Sequence, residues 1–310
     1  SNIRPYFKKI WFANRVGGCS NDVIIFRVLD ESSMYPKYLY YLLSQDIFFD
    51  YMMAGSNGTK MPRGNKKLIP EFTFNDVDIE KQKLIADILS AYDELIENNQ
   101  KQIKLLEEAA MRLYKEWFVH LRFPGHETTK IVDGVPEGWE LKDIGSLIAK
   151  ISRTKQVMTS EYKTSGKIPI IDQSREFISG YTDDDETIVD IGIPVIVFGD
   201  HTRILKLISF PFAKGADGTQ LIVSGTEQMP QHLLYCSLVN IDLSNYHYAR
   251  HFKYLKATNI LVPSRILAEE FERIVVPCFS TIQCLRDKII LLQQARDKLL
   301  PKLMSGEVEV

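Results

Sequence analysis

Apolar and polar positions alternate with a helical seven-residue period over one long stretch of the chain. Ile85, Leu89, Tyr92, Ile96, Asn99, Ile103, Leu106, Ala110, Leu113 and Trp117 follow one another in steps of four and three. This is a heptad seam, polar only at Asn99. Asp87, Asp93, Glu94, Glu97, Lys101, Lys104, Glu107 and Glu108 fall on the opposite face. The pattern predicts one helix from about Ile79 to Phe118, roughly 60 Å long at 1.5 Å per residue. Asp78 is its expected N-cap. Arg122-Phe123-Pro124-Gly125 is its expected stop, because proline cannot continue a helix. A second seam runs through Ile282, Leu285, Ile289, Leu292, Arg296, Leu299 and Leu303, with Pro301 near its end as a kink or terminator. A lone amphipathic helix of this length needs a partner. The two seams are therefore expected to bury each other as an antiparallel pair.

The segments before the helices repeat. Lys8-Lys9-Ile10-Trp11-Phe12, Val16-Gly17-Gly18 and the expected apolar strand Val23-Ile24-Ile25-Phe26 match Leu205-Lys206-Leu207-Ile208, Lys214-Gly215-Ala216-Asp217-Gly218 and Leu221-Ile222-Val223 in order. Each set leads to a proline-led helix, at Pro36 and at Pro230. Gly58-Thr59-Lys60-Met61-Pro62-Arg63 then stands against Lys256-Ala257-Thr258-Asn259, and Glu71-Phe72 and Glu270-Phe271 introduce the long helices. The ordered match predicts duplication of a unit made of a mixed α/β module and a long helix. The second copy begins near Val135-Pro136-Glu137-Gly138-Trp139, and the first has no counterpart of Val135 to about Val197.

Composition adds limits. With 310 residues, 45% hydrophobic and 25% charged, the chain has room for two ordinary domains. Its net charge of −2 is not that of a generally basic nucleic-acid binder and leaves an ordinary cytosolic enzyme open. Cys19, Cys236, Cys278 and Cys284 form no C-x-x-C pair, which fits a reducing cytoplasm. No signal-peptide pattern and no membrane-spanning run is expected. There is no Walker loop, and neither an Asn-Pro-Pro-Tyr motif nor a glycine-rich cofactor loop.

His247 and His251 have a zinc-compatible spacing but no third ligand nearby. Asp183-Asp184-Asp185-Glu186 could hold a metal for a nuclease, or form a solvated loop. Asp76, Asp78, Glu80 and Lys81 suit a helix entry. Residues 1–70 carry ten Lys and Arg against five Asp and Glu. Arg4, Lys8, Lys9, Arg15, Asn21, Lys60 and Arg63, with Lys66 and Lys67, are the candidate DNA contacts there. In the second half the candidates lie in loops after β-branched runs: Gln173, Ser174 and Arg175 continuing to Tyr181, then Asp200, His201, Thr202 and Arg203, with Lys214 in a basic patch. Gln and Arg suit adenine and guanine edges, and Asp accepts from cytosine.

These segments resemble the specificity subunits of type I restriction-modification systems. Val135-Pro136-Glu137-Gly138-Trp139 with Leu141 and Ile144-Gly145, and Ile168-Pro169-Ile170-Ile171 followed by Pro194-Val195-Ile196-Val197, look like a target recognition domain. Gln82-Lys83-Leu84-Ile85-Ala86 with Leu105-Leu106-Glu107, and Lys298-Leu299-Leu300-Pro301-Lys302-Leu303-Met304-Ser305-Gly306, resemble the family's central and distal conserved helices.

The resemblance implies an α+β fold: mixed α/β target recognition domains joined by two long antiparallel coiled-coil helices, with an internal repeat. Residues 1–72 would be the distal part of a first recognition domain, 73–121 the central helix, 122–136 a linker, 137–276 the second recognition domain and 277–310 the distal helix. It also implies a non-catalytic chain that reads double-stranded DNA, each recognition domain serving half of a bipartite site. Its helices would space the domains and dock methyltransferase subunits in the cytoplasm, alongside a restriction subunit. No cofactor is expected in this chain; S-adenosylmethionine, ATP and Mg²⁺ would belong to partner subunits. Self-association is expected if a second copy supplies the other half-site reader. The alternatives are a metal-dependent endonuclease using the acidic run and a coiled-coil adaptor.

Overall fold

A computed structural model describes residues 1–310 except Thr59, Ser152, Arg153 and residues 246–249. His247 therefore lies outside the described residues. The chain divides into two compact units: Ser1–Gln102 with Cys284–Val310, and Ile103–Gln283. In chain order the main elements are α1 (Pro36–Ser44), α2 (Asp46–Ala54), α3 (Ile79–Tyr114), β1 (Ile131–Val132), β2 (Val135–Pro136), β3 (Glu140–Asp143) and α4 (Ile144–Leu147). Then follow β4 (Ile168–Ile171), β5 (Gly180–Thr182), β6 (Ile188–Val189), β7 (Val195–Gly199), β8 (Leu205–Ile208), β9 (Phe212–Lys214) and β10 (Thr219–Ile222). The chain closes with α5 (Gln231–Val239), α6 (His251–Ala257), β11 (Asn259–Val262) and α7 (Arg265–Ser305).

The heptad reading of α3 matches its burial. Ile85, Leu89, Ile96 and Asn99 are buried in the first unit, and Ala110 and Trp117 in the second. Asp78 caps the helix by accepting from the Lys81 N–H at 3.0 Å. The helical run reaches Val119, close to the expected end at Phe118, but its last turn is not α-helical. Lys115–Val119 form a π-helical turn, and Leu121 takes a left-handed conformation at φ 56°. The wider turn lets Tyr114, Trp117 and Phe118 all enter one aromatic cluster with Phe271.

The last helix departs from expectation at its other end. It begins at Arg265, twelve residues before the expected 277, and runs through Pro277 and Pro301 to Ser305. Leu267, Ala268, Phe271 and Val275 are buried at helical spacing, and this apolar stripe outweighs the hydrogen bond each proline removes.

In the first unit, Ile85, Ala86 and Leu89 of α3 pack with Leu303 and Met304 of α7 and with Tyr38, Tyr41 and Leu42 of α1. Arg296, the polar residue on the second seam, pairs with Asp93, which also accepts from the Tyr41 hydroxyl at 2.6 Å. Asp93 thus turns inward, not to the solvent face that spacing assigned it. The segment Val23–Phe26, expected as a strand, belongs to none, and Val23, Ile25 and Phe26 are exposed. Leu221 and Ile222 of the segment matched with it in sequence lie in β10, whose backbone bonds to β7. Among the described residues no strand lies beside Val23–Phe26, and a strand without a neighbour leaves its peptide groups unpaired. A pair of short helices precedes each long one: α1 and α2 before α3, α5 and α6 before α7.

The second unit holds the sheets. β7 is the centre of an antiparallel sheet in the order β10-β7-β8, and every β7 residue is buried. A mixed sheet has the order β5-β4-β9-β6, with β4 and β9 parallel. Ile171, Val189, Val195, Val197, Ile208, Phe212 and Val223 form the core that joins these sheets. β3 pairs with β11, and the expected linker 122–136 contains the small β1–β2 hairpin.

Candidate nucleic-acid interface

Three loops leave the ends of these buried strands: residues 172–179 after β4, 200–204 after β7 and 215–218 after β9. Burial of the strands fixes where each loop starts. Gln173 then ties all three together. Its Nε2 donates to the Asp217 carbonyl at 2.8 Å, its Oε1 accepts from the His201 N–H at 3.1 Å, and its own carbonyl accepts from the Thr202 hydroxyl at 2.7 Å. The Asp200 N–H donates to the Gly218 carbonyl at 2.7 Å. Such close approach requires glycine at two points. A Cβ on Gly199 would lie 2.2 Å from Thr202 Oγ1, and one on Gly218, where φ is +82°, would lie 2.6 Å from Gln173 Nε2.

Asp172 organises the first loop from within. It accepts from the Ser174 N–H at 2.9 Å, from the Ser179 hydroxyl, and from the Tyr162 hydroxyl at 3.2 Å. The Tyr162 oxygen in turn accepts from the Ala216 N–H at 2.9 Å, reaching the third loop. Burial opposes ionisation of Asp172, but the hydrogen bonds from Ser179 and Ser174 outweigh it and hold the carboxyl below the usual range. Lys206 is buried nearby and donates to the Glu176 carbonyl; burial lowers its pKa. Burial also lowers that of Lys214, which is half-buried.

The expected base-reading residues thus separate into two groups. Arg175, His201, Thr202 and Arg203 are exposed. Arg203, in a left-handed conformation at φ 63°, donates from Nη1 to the Leu243 carbonyl at 3.1 Å and is anchored at one edge. Asp200, by contrast, is buried. Its carboxylate accepts from the Phe252 N–H at 2.8 Å and its carbonyl from the His251 N–H at 3.0 Å, so it caps α6 and is not presented to a base. Tyr181 lies within β5, half-buried opposite Pro169, and not in a loop. Gln173 and Ser174 are half-buried and engaged with the protein. The third loop was not singled out as a reader from the sequence. Its signal was the Gly215-Ala216-Asp217-Gly218 pattern directly after a strand.

In the first unit, Lys8, Lys9, Arg15, Asn21, Lys60, Arg63, Lys66 and Lys67 are exposed. Lys8 pairs with Asp46 at 2.7 Å and Arg63 with Asp22 at 3.1 Å. Lys9 stands over the Phe7 ring and Arg15 over Trp11. Arg4 is half-buried, left-handed at φ 50°, with its Nε shielded from solvent.

The acidic run is neutralised, not gathered. Asp183 pairs with Lys163 at 2.7 Å, Asp184 with Lys155 at 2.7 Å and Asp185 with Lys167 at 2.9 Å. Hydrogen bonds from Lys163 and Lys155 lower the pKa of Asp183 and Asp184 respectively. Among the described residues no group of His, Cys, Asp and Glu could hold a metal ion. None of the described helices is long and apolar enough to cross a membrane.

Comparison with known proteins places this architecture. The family model for the type I restriction modification DNA specificity domain matches residues 11–108. The MjaIX type I restriction enzyme specificity subunit of Methanocaldococcus jannaschii is 26% identical over 308 residues, covering 91% of this chain and 71% of that subunit. The HindI specificity subunit of Haemophilus influenzae is 27% identical over 131 residues, 42% of this chain and 28% of that one. The crystal structure of a type I restriction-modification S subunit from M. genitalium shares the fold, with a TM-score of 0.54 at 16% identity over 89% of this chain and 74% of that one. The chain is thus similar over most of its length to specificity subunits of type I restriction-modification systems, and its residues 11–108 match the DNA specificity domain of those systems.

Proposed function

We propose that the second unit reads one half of a bipartite double-stranded DNA site through the three knotted loops. The observation that carries this reading is the set of exposed Arg175, His201 and Arg203 on loops bound to one another and rooted in buried strands. Arg suits the O6 and N7 acceptors of guanine, and a rigid root keeps such a donor aligned with a base edge. Exposed Lys9, Arg15, Lys60, Lys66 and Lys67 of the first unit supply phosphate contacts, which position a protein without conveying sequence.

The remaining parts of the reading follow the family. α3 and α7 act as an antiparallel spacer between readers and as the docking surface for methyltransferase subunits, with a restriction subunit completing the assembly in the cytoplasm. The buried and half-buried seams of the two helices and the charged outer face of α3 support this. S-adenosylmethionine, ATP and Mg²⁺ belong to those partners. Self-association of two copies would present two identical readers and so a symmetric site.

Selection from a pool of randomised duplexes tests the proposal. A short motif should be enriched, and Arg175→Ala with His201→Ala should erase part of it while binding to unselected duplexes persists. Enrichment of no motif would refute the reading. Cleavage of the pool by the chain with Mg²⁺, lost on changing Asp183, would instead favour an endonuclease.

A further inference from the structure

Gln173 has the side chain expected of an adenine reader, yet the structure commits it elsewhere. Reading adenine uses the amide oxygen and amide nitrogen together, toward N6 and N7. Here the oxygen accepts from the His201 N–H and the nitrogen donates to the Asp217 carbonyl. One residue earlier, Asp172 reaches Ser174 and Ser179 in the first loop and, through the Tyr162 hydroxyl, the Ala216 N–H of the third. The two side chains thus span three loops and reach residues 44 positions away in sequence. Backbone bonds already tie the second loop to the third, through Asp200 N–H and the Gly218 carbonyl, and hold the start of the third beside the end of β4, so the side chains of Asp172 and Gln173 add the ties that fix the first loop to the other two.

We propose that Asp172 and Gln173 are positioning residues that lock the three loops into one preset surface, and that they govern base discrimination without touching DNA. The inference rests on the recognition reading above. A loop ordered before binding loses less entropy on binding, and its donors meet only the base pattern they are aimed at. A loosened loop keeps its charge, and hence its attraction for any duplex, but adapts to wrong bases.

The test compares the whole chain with its Gln173→Ala, Gln173→Glu and Asp172→Asn variants. Gln173→Glu keeps the side chain's size and its acceptor for His201, but sets a carboxylate against the Asp217 carbonyl. It separates the hydrogen bond from mere packing. Two readouts are taken. The first is the ratio of affinities for the selected duplex and a scrambled duplex of equal length. The second is amide exchange at Ser174, His201 and Ala216. The ratio should fall by at least about tenfold, the scale of one mismatched base pair. Scrambled-duplex affinity should hold for all three variants and the thermal midpoint for the Gln173 variants, and the three amides should lose protection together. An unchanged ratio, an equal loss on both duplexes, or loops that open independently would overturn the inference. A wild-type chain that does not discriminate at all would count against the recognition reading, and amide exchange would still decide whether the loops form one unit.

Discussion

Single residues carry most of the second unit's geometry. Asp200 is the clearest case, since one buried carboxylate closes the loop after β7 and caps α6. Asp200→Ala should cost about 1–2 kcal/mol of stability, the usual scale for a lost cap, measured by denaturant titration. A change confined to DNA affinity, with stability intact, would contradict the capping role. Asp172 makes a prediction in pH. Its folded-state pKa is lowered, so its contribution is present above the ordinary carboxylate range and fades as pH falls through the lowered value. Amide protection at Ser174 should therefore fall on acidification before the second unit unfolds, a difference that amide exchange at stepped pH resolves.

Elements were legible where the chemistry is local. The spacing of apolar residues located α3 and its cap, because each seam position is set by its neighbours three and four residues away. The same reasoning started α7 twelve residues late, since the heptad seam read from the sequence began only at Ile282, whereas burial of Leu267, Ala268, Phe271 and Val275 in the aromatic cluster carries the helix back to Arg265. The strand expected at Val23–Phe26 has suitable side chains but no partner strand, which no local pattern reveals. The exposed candidates Arg175, His201 and Arg203 were visible as polar residues after strands. The roles of Gln173 and Asp200 were not, because Asp217 and Phe252 lie 44 and 52 residues away from them. Phe271 packs against Tyr114, Trp117 and Phe118 and is fully buried. Phe271→Ala should destabilise the second unit by about 3–5 kcal/mol in calorimetry or denaturant unfolding. A loss below about 1 kcal/mol would show that this cluster does not hold the two helix ends.

For the molecule as a whole, the net charge of −2 means that DNA attraction must come from local cations. Replacing Lys60, Lys66 and Lys67 with Ala should weaken binding to all duplexes alike and flatten its salt dependence. The expected change in slope is about 0.9 for each phosphate that is no longer neutralised. A sequence-selective loss would assign these lysines to base reading instead. The central claim is that this chain reads DNA sequence through the loops rooted at β4, β7 and β9. Selection from randomised duplexes by the wild-type chain and by Arg175→Ala, His201→Ala tests it most directly. The wild type should enrich a defined motif, and the variant should lose particular positions of it. An unchanged motif, or none in either case, would contradict it.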